Sequence, residues 1–192
     1  GGMANTFLKA NGVEVGDSLV EDDLLDEARA LRERHGEALS LPVDAVVARE
    51  IDPDAETRKI QIDPEGGSGV EPGWKILDVG PETVERFGET VEGAGTVFWN
   101  GPLGVFETSP FDVGTRTFAE RLAAATERGA YTVTGGGDSL AALERAGLVD
   151  AVSHASTGGG AALDLVSGAS LPGIEALDPA SSVADDETEE ER

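Results

Sequence analysis

Trp99-Asn100-Gly101-Pro102-Leu103-Gly104-Val105-Phe106-Glu107 is the stretch on which the fold is read, because two glycine triplets follow it in order. They are Gly135-Gly136-Gly137-Asp138-Ser139 and Ser156-Thr157-Gly158-Gly159-Gly160. A short apolar, β-favouring run precedes each: Thr96-Val97-Phe98, Tyr131-Thr132-Val133 and Val152-Ser153-His154. Each triplet then opens a helix-like stretch, so strand, bare-backbone loop and helix start recur. In α/β proteins that order holds phosphate groups, because free N–H donors and the positive end of the helix dipole face the anion.

The same alternation extends outward. Ser18-Leu19-Val20-Glu21 reads as a capping box, with Leu24, Leu25, Ala28 and Leu31 at helical spacing up to Gly36. Residues 41–48 read as a loop feeding a buried strand, and Thr57 to Ile62 as a short β excursion in a stretch broken by Pro53, Pro64 and Pro72. Pro81 suits the first turn of a helix running to Glu92. A longer helix is expected over residues 112–128, ending at Gly129. Strands alternating with helices imply an α/β fold: a three-layer, Rossmann-like parallel sheet with helices on both faces. From Asp178 onward, Ser, Ala and acidic residues predict a disordered acidic tail over 178–192.

The 192 residues suffice for one domain. There is no cysteine, hence no disulfide, which suits an intracellular protein. No apolar run approaches the ~20 residues that span a bilayer. Thirty-eight acidic residues against 14 basic give a net charge of −24. A surface of that sign repels nucleic acid and anionic membranes. Only Lys9, Lys59 and Lys75 are lysines. This pattern resembles that of proteins from salt-loving organisms, where the Debye length falls to ~3 Å at 1 M and like charges largely cease to repel; the alternative reading is an ordinary acidic bacterial protein.

The three loops, together with Gly1-Gly2-Met3-Ala4-Asn5-Thr6-Phe7, Asp78-Val79-Gly80-Pro81-Glu82-Thr83 and Leu171-Pro172-Gly173-Ile174-Glu175-Ala176-Leu177, closely resemble phosphoglycerate kinases. The resemblance runs from residue 1 to about 177 and is to the C-terminal, nucleotide-binding domain, in an acidic, halophilic-archaeon-like version. It implies reversible phosphoryl transfer between MgATP and 3-phosphoglycerate, giving 1,3-bisphosphoglycerate and ADP, in the cytoplasm, by a monomeric full-length enzyme. It further implies that a substrate domain and the first strands of this domain precede Gly1. The 3-phosphoglycerate site and the lysines that grip the nucleotide phosphates would lie there; Lys9, Lys59 and Lys75 match none of them.

Carried over residue by residue, the resemblance gives Asp138 as the Mg²⁺ carboxylate, whereas alone it reads better as the N-cap of a helix over 139–146, and the two roles can coexist. Gly135, Gly136 and Gly137 would approach phosphate closely, and Ser139, where the family usually has threonine, would donate to a phosphate oxygen. Gly158, Gly159 and Gly160 match the loop facing the transferring phosphoryl group; seen alone, they read better as a tight turn. Glu107 matches the carboxylate that binds the ribose hydroxyls. Asn100, Gly101, Leu103 and Phe106 would shape the pocket, and Gly1 and Gly2 match the turn beside adenine. Leu77 is a weaker adenine-pocket candidate, because Ile76 stands before it where many members have glycine. Trp99 and Phe98 are expected in the core, His154 in the interior and His35 on the surface.

Two other classes remain in view. One is a nucleotide-binding module without catalysis. The other is a dinucleotide-dependent oxidoreductase, disfavoured because no G-x-G-x-x-G opens a βαβ unit. The family's strand order, 3-2-1-4-5-6, carries one structural expectation: with strands 1 and 2 absent, Val43 to Ala48 would have no neighbour.

Overall fold

The structure, a computed structural model, describes residues 1–177; the expected acidic tail, 178–192, lies outside them. In chain order the elements are α1 (Gly2–Ala10), β1 (Val13–Val15), α2 (Leu25–His35), β2 (Asp44–Ala48), β3 (Thr57–Gln61), β4 (Gly67–Val70) and β5 (Lys75–Val79). They continue with α3 (Pro81–Glu92), β6 (Thr96–Asn100), α4 (Val113–Glu127), β7 (Tyr131–Gly135), α5 (Gly137–Ala146), β8 (His154–Ser156), α6 (Gly159–Ser167) and α7 (Pro172–Glu175).

The expected α/β class is borne out. β6, β7 and β8 form a parallel sheet in that order, and α4, α5 and α6 all pack against its central strand, β7. The core beneath it gathers Val91, Trp99, Phe106, Phe118, Leu122 and Leu143, with Trp99 and Phe118 edge to face at 5.5 Å. Such pairs add to plain area burial because ring edge and ring face carry opposite partial charge. α3 starts at Pro81 and ends at Glu92, as expected. α4 stops before Gly129, whose φ of +99° ends the helix without a Cβ penalty.

β2 departs from expectation. It is not an orphan strand: it lies between β3 and β5 and is antiparallel to both. Asp44 opposes Gln61 and Ala48 opposes Thr57 on one side, while Ala45 opposes Val79 and Ala48 opposes Lys75 on the other. The excursion over Thr57 to Ile62 supplies the missing partner by folding back on β2. Beside this sheet, β1 and β4 make a two-stranded parallel pair. Together they enclose a second core of Leu8, Val13, Val15, Ala45, Val47, Ile62, Val70 and Trp74. Trp74 is capped from outside by two guanidinium groups, Arg49 at 4.7 Å and Arg58 at 4.0 Å from the ring centre. Ile76 turns toward this core, whereas Leu77 packs with Ala48 and Phe111.

The capping box at Ser18 does not form. Its hydroxyl bonds to the Val15 carbonyl and accepts the Ile76 N–H at 2.8 Å, tying the loop to β5. A short 3₁₀ turn, Asp22–Leu24, starts the helix instead. Phe98 and His154 are also corrections: Phe98 is 37 % exposed on β6 and His154 is exposed on β8, whereas Trp99 is buried and His35 exposed as expected.

A buried carboxylate ties β2 to α3. Asp44 accepts the N–H groups of Glu82 (3.0 Å) and Thr83 (2.8 Å) and the Thr83 hydroxyl (2.6 Å). Thr83 Oγ1 in turn accepts the backbone N–H of Val43 and Asp44. A side chain from a neighbouring strand thus performs the capping that Gly80, the N-cap residue, cannot. Asp44→Ala strips three buried donors of their acceptor. We expect it to lower the unfolding free energy by about 2–4 kcal/mol, read by chemical denaturation. A loss below ~0.5 kcal/mol would refute the cap.

Candidate nucleotide site

The register of the parallel sheet lines up the loops. Asn100 pairs with Gly135 and Gly135 with Ser156, so three chains leave the carboxyl edge of the sheet side by side. That edge is where α/β sheets bind ligands. Gly136 N donates to the Ser156 carbonyl at 3.0 Å, joining the second and third loops.

Their contact is one of main chain against main chain. A Cβ on Gly159 would lie 2.7 Å from both Cα and N of Gly136 and 2.8 Å from Oδ1 of Asn100. Gly136 sits at φ +97°, where a side chain is strained whatever the space. Gly137 and Gly160 border open space. The first turns of α5 and α6 carry N–H groups without intrahelical partners, so both helices present donors beside this edge. The sequence between Gly135 and Asp138, and between Ser156 and Gly160, contains no Lys or Arg. Positive potential there comes from the main chain alone.

Asp138 is not the N-cap of α5. The cap residue is Gly136, without a side-chain bond, and Asp138 stands exposed in the first turn with no hydrogen-bond or ion-pair partner among the described residues. The alternative of a purely capping aspartate therefore falls. Ser139 differs from expectation. It is 1 % exposed and accepts the Gly101 N–H at 2.6 Å, so its hydroxyl joins two loops instead of facing a ligand.

The Trp99–Glu107 stretch is pinned at several points. Trp99 Nε1 donates to the Gly101 carbonyl at 2.7 Å, which fixes the turn at Gly101. Thr115 Oγ1, in the first turn of α4, accepts both Leu103 N and Gly104 N at 3.1 Å. Val105 N donates to the Leu77 carbonyl at 2.8 Å. The Gly1 amino group donates to the Leu103 carbonyl at 3.1 Å, and Gly1 lies against Pro102, which brings the start of α1 to the same loop. Gly2 packs against Leu19.

Of the remaining candidates, Leu77 and Phe106 are buried in two different core clusters, and Leu103 is half-buried beside that of Phe106. Glu107 has an exposed carboxylate, and its carbonyl accepts from Arg145, whose guanidinium lies 6.0 Å from the Phe106 ring centre. The structure therefore gathers Asn100, Gly135, Gly136 and Gly159 directly and groups Gly1 with Leu103.

Two residues were not singled out from sequence. Thr115 carries no local signal, since a threonine in a first helical turn is commonplace. Asp78 sits beside Leu77 in a recognisable motif, but its burial does not follow from the motif. Asp78 is 1 % exposed, and burial pushes its carboxyl pKa up to about 7 against the backbone N–H groups of Gly114 and Val79, which pull it down.

Comparison with known proteins gives the family. Residues 1–169 match the family model described as phosphoglycerate kinase. Phosphoglycerate kinase of Chloroflexus aurantiacus is 51 % identical over 183 residues, covering 94 % of this chain and 44 % of the relative. That of a Picosynechococcus species is 50 % identical over 180 residues, again 94 % of this chain and 44 % of the relative. The solved structure of phosphoglycerate kinase from Coxiella burnetii superposes with a TM-score of 0.82 at 43 % identity, covering 92 % of this chain and 44 % of that one. The chain spans less than half the length of the relatives it matches. With a family model over most of its length and the three loops seated on one sheet edge, this chain belongs to the phosphoglycerate kinase family.

Proposed function

We propose that residues 1–177 form the nucleotide side of a phosphoglycerate kinase, which transfers a phosphoryl group reversibly between MgATP and 3-phosphoglycerate. The observation that carries this reading is the contact of Gly159 with Gly136 and Asn100 at the end of the parallel sheet. It clears side chains from a surface where two helix N-termini, those of α5 and α6, open together.

The roles follow from exposure and chemistry. The N–H groups around Gly135, Gly136 and Gly137 take the nucleotide phosphates, and those around Gly158, Gly159 and Gly160 face the phosphoryl group in transfer. Phosphoryl transfer asks mainly for positioning and charge neutralisation, which preorganised donors supply without covalent help. Glu107 accepts from the ribose, and Gly1, Gly2, Leu103 and Leu77 border the adenine. Ser139 keeps Gly101 in register, which makes it a support and not a phosphate ligand.

Asp138 is the residue suited to Mg²⁺. No group of three or more acidic or histidine side chains among the described residues could hold a metal by itself. That fits a cation held by one exposed carboxylate and the nucleotide phosphates together. When bound, Mg²⁺ neutralises phosphate charge that neutral loops leave uncompensated.

The substrate 3-phosphoglycerate would be met through the part of the relatives that this chain does not span. No described helix is long and apolar enough to cross a membrane, and the net charge of −24 disfavours nucleic acid and anionic lipid. The family resemblance supports reading the longer enzyme as monomeric and cytoplasmic, and the acidic composition supports adaptation to salt.

Three outcomes test it. In the longer enzyme, Asp138→Asn should lower kcat at least a hundredfold at saturating Mg²⁺ with the fold intact, and near-normal turnover would remove the metal role. The 192-residue chain by itself should bind MgATP weakly in isothermal titration and give no turnover in a coupled assay. Turnover by the chain alone would show that the acceptor site had been misplaced; a longer protein that binds nucleotide without turnover would favour the non-catalytic module. Finally, the melting temperature should rise with KCl between ~0.1 M and molar concentration, as screening shortens from ~10 Å to ~3 Å. A melting temperature indifferent to salt would refute the halophilic reading.

A further inference from the structure

The end of β5 carries a carboxyl group that the proposed chemistry does not use. Asp78 Oδ2 accepts the N–H of Gly114, in the first turn of α4, at 2.7 Å, and Oδ1 accepts the N–H of Val79 at 2.9 Å. Gly104 and Gly114 both lie so close to this carboxyl that a Cβ on either would overlap it. Directly beside it, Thr115 Oγ1 takes the N–H groups of Leu103 and Gly104. Asp78 is therefore the floor under Gly104, and the start of α4 holds both that floor and Leu103–Gly104.

We propose that Asp78 is a positioning residue: it seats the Leu103–Gly104 segment at the adenine side of the nucleotide site, and the seat loosens as pH rises. The inference rests on the nucleotide reading above.

The sign follows from linkage. In the closed seat the carboxyl titrates near 7, because lost hydration outweighs the two N–H bonds. Two other charged groups reach it: the Gly1 amino group, which favours the carboxylate, and Asp112, which opposes it. Once the segment lifts and water enters, the group returns toward its ordinary value of 3.8. The closed state thus binds a proton more tightly than the open one. Opening is favoured progressively as pH rises from about 4 to about 7 and is unaffected by pH above that.

Amide hydrogen exchange of the ¹⁵N-labelled 192-residue chain tests this, with adenosine, which does not titrate in this range, as the probe ligand. In the wild type, the protection factors of Leu103 and Gly104, corrected for intrinsic exchange, should fall at least tenfold from pH 5 to 7 and then level off. Those of Thr132 and Thr134 in β7 should stay constant. Asp78→Asn, isosteric and neutral, should remove the dependence. Asp78→Ala, which empties the floor under Gly104, should weaken adenosine binding at least fivefold at every pH. Protection at Leu103 and Gly104 that ignores pH in the wild type overturns the inference, and this needs no variant to fold. So does an Asp78→Ala chain that binds adenosine like the wild type. A longer enzyme that binds no adenosine would instead overturn the nucleotide reading, and the positioning role with it.

Discussion

Two polypeptide backbones touch at Gly136 and Gly159, and the candidate site depends on that contact. The parallel register puts Asn100, Gly135 and Ser156 in one row, but a row alone leaves strand-width gaps between the loops. Closing the gap needs a residue on each side with nothing beyond Cα. With the gap closed, the starts of α5 and α6 come together and their unpaired N–H groups share one surface. Neither loop carries a lysine or arginine, so the donors they present are neutral. The site is thus built from main-chain geometry, and side chains act mostly from behind. Ser139 holds Gly101, Thr115 holds Leu103 and Gly104, and Trp99 holds its own turn.

The support behind the site uses buried oxygen atoms in place of hydrophobic contact alone. Asp44 and Asp78, on adjacent antiparallel strands, each receive the first-turn N–H groups of a different helix, α3 and α4 respectively. Their environments differ in one respect. Asp44 has three donors, including a hydroxyl, while Asp78 has two backbone N–H groups and a negative neighbour in Asp112. Burial raises the pKa of Asp78, against the pull of its two N–H donors.

Legibility from sequence followed the range of the interactions. α3 was readable to the residue because proline at its start and an amphipathic pattern are local signals. So were the loops, whose glycines leave few alternatives. Ser18 misled because its hydroxyl had a better partner: the Ile76 N–H, 58 residues away, outcompetes a nearby helix turn. The pairing of β2 could not be read locally, since the alternation of its side chains is the same whether its neighbours run parallel or antiparallel. Phe98 and His154 were expected inside on side-chain type, but both lie on the outer strands of a three-stranded sheet, where only β7 is flanked on both sides. The burial of Asp78 has no local signature, because it depends on two distant glycines, Gly104 and Gly114, that admit its carboxyl.

The stacking of Arg49 and Arg58 over Trp74 has a consequence for a protein this acidic. Ion pairs such as Arg86 with Glu82, or Arg121 with Glu85 and Glu92, lie at the surface and fade as added ions screen them. A guanidinium plane lying on an indole face is weakly hydrated and in van der Waals contact, and dispersion is not screened. In concentrated brine the arginines that sit on carbon keep their hold while those that sit on carboxylate lose theirs. A chain whose few cations are mostly arginine can thus turn part of its positive charge into a roof for its core, a service the compact, strongly hydrated ammonium of lysine performs poorly.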